Sequence, residues 1–260
     1  MRIFKGILLL LAFLLIACSN EDKKVIKVGG TVISKVTYDA IKPVFESKGY
    51  KSEFILLDAN PVCLEACNSE EVDISLGQHK KFIENYNTSK GGDLVMVKPY
   101  GYYTGIGLYS LKYKNIEEIP QNARIAIMND AMNMQIALRI LENIGLIKLN
   151  ENVKNPTIID IVQNPKNIQI IDLDQAQTVK ALDELDAACV FFTHMSNAKK
   201  DPKSYLARDN EMINVPMGVI VKAKNENAKW AIDFANSFKD KGVQDKINAA
   251  FPGVFEFYKD

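Results

Sequence analysis

Polar side chains that could hold a small molecule recur where a predicted strand gives way to a helix. Gln78 and Asn129 each follow a short apolar run, Asn133 lies early in a predicted helix, and Asn214 precedes another strand. In open α/β sheets ligands bind beyond the carboxyl ends of the strands, which is where such residues fall. Each of them taken alone could instead be a turn or capping residue. Together they favour binding over catalysis.

Catalytic motifs with a fixed spacing are missing from the sequence. It contains no G-x-S-x-G, H-E-x-x-H or G-x-x-x-x-G-K, and no G-x-G-x-x-G after a strand. A nucleophile and its base could come only from Cys63, Cys67 or Cys189 with His79 or His194. We therefore expect no catalytic residue, no metal site and no cofactor.

Cys63 and Cys67 lie four residues apart in a segment with helical character, so they would share one face of a helix. Three interpretations remain open. The pair could form a strained disulfide, contribute to a zinc site that needs further ligands, or pack as two small apolar side chains. The third is the one we favour.

The amino terminus has the pattern of a secreted, lipid-modified protein. Two basic residues precede an unbroken apolar run over residues 7–17, which is about half the length that a membrane-spanning helix needs. The run ends in LIAC, which resembles the bacterial lipobox. We expect residues 1–17 to be a signal peptide, Cys18 to carry the lipid and residues 18–24 to form a tether. The alternatives are an ordinary signal peptide with a chance cysteine and a short membrane anchor.

The overall composition is that of a globular protein. Of the 260 residues 47% are hydrophobic and 25% are charged, and 32 basic side chains balance 32 acidic ones. This balance excludes a disordered chain and a multi-spanning membrane protein. It also lacks the basic excess that nucleic-acid binding requires, so we expect no nucleic-acid partner.

Short apolar runs alternate with amphipathic stretches along the chain. Strands are predicted at 25–29, 54–57, 73–76, 94–97, 124–128, 168–173, 187–192 and 215–222. Helices are predicted at 36–48 with Ser34 as its cap, around Cys63, at 79–86, at 132–144 between Asp130 and Gly145, and at 175–185, 228–239 and 243–251. This alternation predicts an α/β fold with mostly parallel sheets. Extended stretches at 105–113 and 213–218 are candidates for crossings between two lobes.

With these features in place, the chain resembles the NlpA-type lipoproteins, the substrate-binding components of methionine-uptake ABC transporters. The resemblance covers essentially the whole mature chain and is densest at 125–149 and 160–188. It implies a type II periplasmic binding fold, in which two α/β lobes joined by two crossing strands clamp a solute. Residues 25–108 with 217–260 would form lobe 1, and residues 109–216 would form lobe 2.

The resemblance also implies the partners and the location. These are a small-molecule solute, methionine or a related amino acid, together with an ABC permease and an ATPase. The protein would be anchored by its lipid to the cell membrane or the outer membrane, with the folded part periplasmic or surface-exposed. A surface lipoprotein that keeps the fold but acts as an antigen or adhesion module is the alternative, and an enzyme is a third class.

Only some of the family's ligand-binding positions are kept. Those that persist are Gln78, His79, Asn129, Asp130, Asn133 and Asn214. The family's arginine, which clamps the ligand carboxylate in a bidentate pair, is replaced by Ile136, and Arg139 is the candidate substitute. A family asparagine is replaced by Phe191, with Thr193 two positions later, and a family histidine by Tyr102.

The loss of the arginine has a direct physical consequence. Burying a carboxylate without a cation or several N–H donors costs several kcal/mol. Either Arg139 or the amides at the start of the helix near 129–132 hold the carboxylate, or the ligand is not methionine. We therefore predict altered or relaxed ligand choice.

Overall fold

The structure, a computed structural model, describes residues 24–259, so the predicted signal peptide and Cys18 lie outside the described residues. Along the chain the strands are β1 (Val25–Gly30), β2 (Lys51–Leu56), β3 (Ile74–His79), β4 (Leu94–Met96), β5 (Tyr102–Tyr103), β6 (Ile106–Tyr109), β7 (Arg124–Met128), β8 (Lys148–Leu149), β9 (Ile161–Gln163), β10 (Gln169–Leu173), β11 (Ala187–Phe191), β12 (Ala207–Arg208), β13 (Met217–Lys222) and β14 (Glu256–Phe257). The α-helices are α1 (Val32–Ser47), α2 (Asn60–Asn68), α3 (Lys80–Lys90), α4 (Ala131–Asn143), α5 (Thr178–Ala181), α6 (Phe192–Asn197), α7 (Lys229–Asn236) and α8 (Lys241–Ala250).

These elements form two α/β lobes, each built around its own sheet. The sheet of lobe 1 has the order β14-β5-β13-β3-β1-β2, with β4 beside β13, and β1 lies parallel to β2 and β3. The sheet of lobe 2 has the order β10-β7-β11-β6-β12, with β7 parallel to β10 and β11. The predicted α/β, two-lobed fold is confirmed. In the part of the chain that is described, no helix has the length and apolar character needed to cross a membrane.

The chain crosses from lobe 1 to lobe 2 between β5 and β6, and returns between β12 and β13. The first crossing is Thr104–Gly105, a few residues before the predicted boundary after residue 108. β6 belongs to lobe 2 because it pairs antiparallel with β11 and β12. At Gly105 a Cβ atom would come within 2.5 Å of the Phe192 ring, so the crossing strand packs directly on lobe 2 only because it has no side chain there.

Helix ends follow local capping chemistry in lobe 2. Asp130 caps α4 as predicted, because its carboxylate accepts a hydrogen bond from the Asn133 amide at 3.0 Å. Gly145 ends the helical segment in the left-handed conformation, with φ of +76°. The predicted helix at 175–185 is shorter in the structure, where α5 spans only Thr178–Ala181.

The first helix of lobe 1 differs from the prediction. α1 begins at Val32, four residues earlier than expected, and Thr31 occupies the cap position. Ser34 lies inside the helix, and its hydroxyl donates to the Leu76 carbonyl oxygen at 2.6 Å. This bond joins the first turn of α1 to the middle of β3, and it uses the hydroxyl that the sequence suggested as a cap.

Cys63 and Cys67 are free thiols, both buried in α2. The Cys67 thiol donates to the Ile220 carbonyl oxygen at 3.6 Å. Burial raises the pKa of Cys63 to about 11, so that thiol stays protonated at neutral pH. Both residues therefore pack as small apolar side chains, the interpretation that we favoured.

Candidate functional site

A groove lies between the lobes where α3 and α4 begin. It has a volume of about 330 Å³ and is lined from both sides. Its lining residues are Lys81, Glu84 and Asn85 of α3, Ala131, Met132 and Gln135 of α4, and Asn155. α3 follows directly on β3 and α4 follows on β7, so the carboxyl ends of a strand from each lobe meet at this groove. This is the place where ligands bind in α/β folds.

Gln78, at the end of β3, is only 2% exposed. Its Oε1 accepts a hydrogen bond from Ser75 Oγ at 2.7 Å, and its Nε2 donates to Asn60 Oδ1 at 3.2 Å and to the Leu76 carbonyl oxygen at 3.3 Å. The amide is therefore satisfied inside lobe 1. Its role in this geometry is to join β3 to the start of α2.

His79 caps α3 with its ring. The Phe82 amide donates to His79 Nδ1 at 3.1 Å, so the neutral imidazole carries its proton on Nε2 and can donate it to a ligand. Burial lowers the pKa of His79, and Lys81 lowers it further, so the ring is neutral at pH 7. The Asp130 carboxylate of lobe 2 acts on the same pKa in the opposite direction. The charge of Asp130 therefore acts on the His79 ring from the other lobe.

Asp130 and Asn133 form a linked pair on the lobe 2 side. Besides capping the helix, Asp130 accepts a second hydrogen bond from Asn133 Nδ2 at 2.9 Å. This bond fixes the orientation of the Asn133 amide. Asn133 Oδ1 is then buried and has no hydrogen-bond partner among the described residues. A buried acceptor left unsatisfied costs about 1–3 kcal/mol, so this oxygen would gain from a donor that reaches it.

Asn129 and Asn214 have exposed side chains on the two sides of this region. The Asn129 amide nitrogen donates to the Leu173 carbonyl oxygen at 2.8 Å, joining the ends of β7 and β10. Asn214 ends a short 3₁₀ turn just before the return crossing. Two residues later, the Pro216 carbonyl oxygen accepts from the Lys80 amide at 2.9 Å, so the crossing lies against the start of α3.

Phe191 and Thr193 lie at the end of β11, the neighbour of β7 in the lobe 2 sheet. Phe191 is half-buried, and its ring is 6.0 Å from the His194 ring in an edge-on arrangement. Thr193 is half-buried in the first turn of α6. Because β7 and β11 are parallel, their carboxyl ends lie at the same sheet edge. Both residues therefore border the lobe 2 side of the site.

Arg139 is not among the residues that line the groove. It lies about 12 Å along α4 from the first helical residue, at 1.5 Å per residue. Its guanidinium forms a 2.9 Å ion pair with Glu142 Oε2, and Glu142 Oε1 accepts from the Leu149 amide. Ile136 is buried in the lobe 2 core. Neither residue offers a cation to a bound carboxylate, which is at odds with Arg139 as a substitute clamp.

Tyr102 is part of the lobe 1 core. It is 1% exposed, its ring stacks on Phe255 at 4.3 Å, and its hydroxyl shares a 3.0 Å hydrogen bond with Thr37 Oγ1. Burial raises the pKa of Tyr102 to about 12. A ring enclosed in this way is at odds with the expected ligand contact. The enclosing residues are distant in sequence, so no local pattern reveals them.

Several groups at the site were not singled out from the sequence. Lys81 and Gln135 line the groove, and Val32 is largely exposed at the start of α1. The turn of α1 that carries Val32 packs on Gly77, where φ is +103° and a Cβ would lie 2.3 Å from Ser34 Oγ. The sequence signal that could have identified Val32 is an apolar residue at the first position of a helix that follows a strand.

Both lobes place polar groups at or beside the groove. Lobe 1 contributes the Lys81 cation, the Glu84 carboxylate and the Nε2–H donor of His79. Lobe 2 contributes Gln135 to the lining, with the Asp130 carboxylate at the start of α4. A ligand carboxylate is complementary to Lys81 and His79, and a ligand ammonium group is complementary to Asp130. The arrangement can therefore bind a small zwitterion.

On the crossing side the lobes are joined by a polar cluster. Arg208 of β12 forms an ion pair with Glu256 of β14, and the Tyr103 hydroxyl donates to Glu256 at 2.8 Å. The Arg208 guanidinium also lies 5.2 Å from the Phe192 ring centre. These contacts connect the two sheets beside the crossings.

Comparison with known proteins places the chain in a family. The profile described as NlpA lipoprotein matches residues 26–256. Lipoprotein 28 of Escherichia coli strain K12 is 32% identical over 95% of this chain and 93% of its own, and the probable D-methionine-binding lipoprotein MetQ of Haemophilus influenzae is 30% identical over 92% of each. The substrate binding protein of a methionine transporter from Streptococcus pneumoniae has a similar structure, with a TM-score of 0.73 and 30% identity over 90% of this chain and 96% of that one. The chain therefore belongs to the NlpA lipoprotein family.

Proposed function

We propose that the protein is the solute-binding lipoprotein of an ABC importer and has no catalytic role. The observation that carries the proposal is the groove between α3 and α4, which is lined by both lobes and contains the charged side chains of Lys81 and Glu84. Relatives that are described as methionine-binding or as part of a methionine transporter support it. A permease and an ATPase would be its partners. The lipid on Cys18 would hold it at the cell membrane or the outer membrane, with the folded part outside the cytoplasm.

The ligand that fits the groove best is a small amino-acid-like zwitterion. Its ammonium group would lie against lobe 2, where Asp130 supplies charge and Asn133 Oδ1 supplies a free acceptor. Its carboxylate would lie toward His79 Nε2 and Lys81 of lobe 1. Val32 adds exposed apolar surface on the lobe 1 side.

The ligand carboxylate is held less firmly than a bidentate arginine would hold it. Ile136 is apolar and buried, and Arg139 is paired with Glu142. A lysine is a point charge without the planar donor geometry of a guanidinium. One charge-assisted hydrogen bond contributes about 1.5–3 kcal/mol, which corresponds to roughly a tenfold to hundredfold change in affinity. We therefore propose that this protein binds methionine weakly or prefers another amino-acid-like solute.

Calorimetric titration of the purified protein tests both the binding of a zwitterion and the altered ligand choice. The panel contains L-methionine, D-methionine, methioninol, which lacks the carboxylate, and 4-(methylthio)butanoate, which lacks the amine. We expect removal of the amine to weaken binding more than removal of the carboxylate. Sub-micromolar binding of methionine would contradict the altered-ligand part.

The same titrations, extended to the other amino acids, separate transport from the alternative function. A protein that binds no amino acid and shows no ligand by native mass spectrometry would overturn the solute-binding proposal. That result would favour a surface lipoprotein that keeps the fold for another purpose.

A further inference from the structure

A second groove lies at the end of lobe 1 opposite the ligand site. We call this surface the basal face; it consists of Lys24, Lys48, Tyr50, Lys229 and Trp230, which line a groove of about 410 Å³ together with Ile26 and Gly49. β1 has six residues, so its two ends are about 20 Å apart. Its carboxyl end leads into α1 at the ligand site, whereas its amino end borders the basal face.

The basal face combines aromatic rings with outward-pointing cations. Trp230, the single tryptophan of the chain, is half-buried, and the Lys24 ammonium lies 5.9 Å from its ring. The Lys229 ammonium lies 5.9 Å from the ring of Tyr50. Aromatic rings beside lysines are the side chains that anchor proteins at membrane–water interfaces.

The acidic partners of these lysines lie beneath them. Asp233 accepts a hydrogen bond from the Tyr50 hydroxyl at 2.7 Å and pairs with Lys229 at 2.5 Å. The Lys229 side chain is 84% exposed, whereas that of Asp233 is 17% exposed. Lys24 and its partner Asp73 show the same contrast. The charge that meets the solvent on this surface is therefore positive.

The tether starts at the basal face. Lys24 is six residues after Cys18, and a fully extended chain of that length spans at most about 20 Å. A lipid on Cys18 would therefore keep this end of lobe 1 close to the bilayer. Electrostatic attraction acts over about 8–10 Å at physiological ionic strength, so it would become effective as the face approaches the headgroups.

We propose that the basal face rests on the anionic headgroups of the membrane that holds the lipid anchor, with Trp230 at the level of the headgroups. The inference rests on the proposed lipid anchor at Cys18. In this orientation lobe 1 lies between the membrane and lobe 2. The ligand groove is then held away from the bilayer and open to solutes.

The fluorescence of Trp230 tests the inference, because no other tryptophan contributes. The full mature lipoprotein is incorporated into vesicles of phosphatidylcholine, with and without phosphatidylglycerol, which contain lipids carrying a nitroxide quencher near the headgroup. With phosphatidylglycerol we expect a blue shift of the emission and strong quenching, both of which high salt reduces. Flotation of the vesicles measures the lipid anchor separately.

The variants keep the tether intact. In Lys48→Gln/Lys229→Gln we expect the blue shift and the quenching to be lost, whereas Lys48→Arg/Lys229→Arg retains them. The matched control Lys114→Gln/Lys154→Gln removes two exposed lysines of lobe 2 and should behave as the parent protein does. A protein that floats with the vesicles while Trp230 stays unquenched overturns the inference and leaves the anchor in place. A protein that does not float overturns both.

Discussion

The two walls of the ligand groove use their polar groups differently. On lobe 1, Gln78 is hydrogen-bonded entirely within its own lobe, and His79 Nδ1 already accepts from the Phe82 amide. On lobe 2, Asn133 Oδ1 is buried without a partner among residues 24–259. A satisfied group stabilises the fold, whereas an unsatisfied one gains a partner only when a ligand binds. From this comparison we propose that lobe 1 is the preorganised wall and that lobe 2 is the wall that selects the ligand.

The largest effect is expected for the carboxylate of lobe 2. Asp130→Asn keeps an oxygen that can cap α4 but removes the charge opposite the ligand ammonium. We expect affinity for the tightest-binding amino acid to fall roughly tenfold to hundredfold, as loss of a charge-assisted hydrogen bond predicts. Calorimetry measures the affinity, and thermal unfolding serves as the control. An unchanged affinity would remove Asp130 from the site.

The next effect is on stability rather than binding. Gln78→Ala leaves the buried Ser75 hydroxyl without its partner and also removes the hydrogen bond to the exposed Asn60, so the free energy of unfolding should fall by about 1–3 kcal/mol. Ligand affinity should change little. Urea denaturation measures the free energy. If affinity falls while stability does not, Gln78 contacts the ligand and the contrast between the walls is lost.

Asn133→Ala is the matched substitution on lobe 2. It removes the unsatisfied oxygen together with one hydrogen bond to Asp130, so these two effects on the unfolding free energy oppose each other. We expect affinity to fall roughly tenfold, which corresponds to about 1.4 kcal/mol, with a smaller change in stability than Gln78→Ala causes. Both variants are measured by the same calorimetric titrations and urea denaturation. Gln78→Ala should mainly lower stability and Asn133→Ala should mainly lower affinity. The same balance of effects in both variants would contradict the contrast between the two walls.

The pH dependence of stability gives a smaller effect. Burial lowers the pKa of His79 below its ordinary value of 6.5, so the unfolded chain binds more protons than the folded one in the range between the two values. Stability should therefore be full above about pH 6.5 and fall as the pH is lowered through that range. Urea denaturation across this range should show a shallower slope for His79→Gln. Burial also lowers the pKa of His194, so part of the slope should remain. An identical slope in the variant would show that His79 does not titrate in this way.

The smallest effect is expected for Arg139→Gln. The substitution breaks a partly exposed ion pair with Glu142, and such pairs contribute about 0–1 kcal/mol to stability. Because Arg139 does not line the groove and its guanidinium is paired with Glu142, affinity should be unchanged in calorimetry. A large loss of affinity would instead identify Arg139 as the substitute for the family's arginine.

The sequence by itself determined the features that depend on neighbouring residues. The alternation of apolar runs and amphipathic stretches predicted the α/β class, and Asp130 and Gly145 predicted the two ends of the α4 segment. Caps and left-handed glycines act within one turn of chain, so their signal is local. The long matches at 125–149 and 160–188 carried the family resemblance, which the profile match over residues 26–256 confirms.

The tertiary structure alone decided which side chains reach the groove. Tyr102 is enclosed by Thr37, 65 residues earlier, and by Phe255, far later in the chain. β6 joined lobe 2 because its edge pairs with β11, about 80 residues away. The orientation of a side chain depends on what packs against it, and those partners come from remote segments that no local pattern specifies. The sequence therefore predicted polar residues at the strand ends beside the groove, whereas the residues that line the groove were decided by the folding of distant segments against each other.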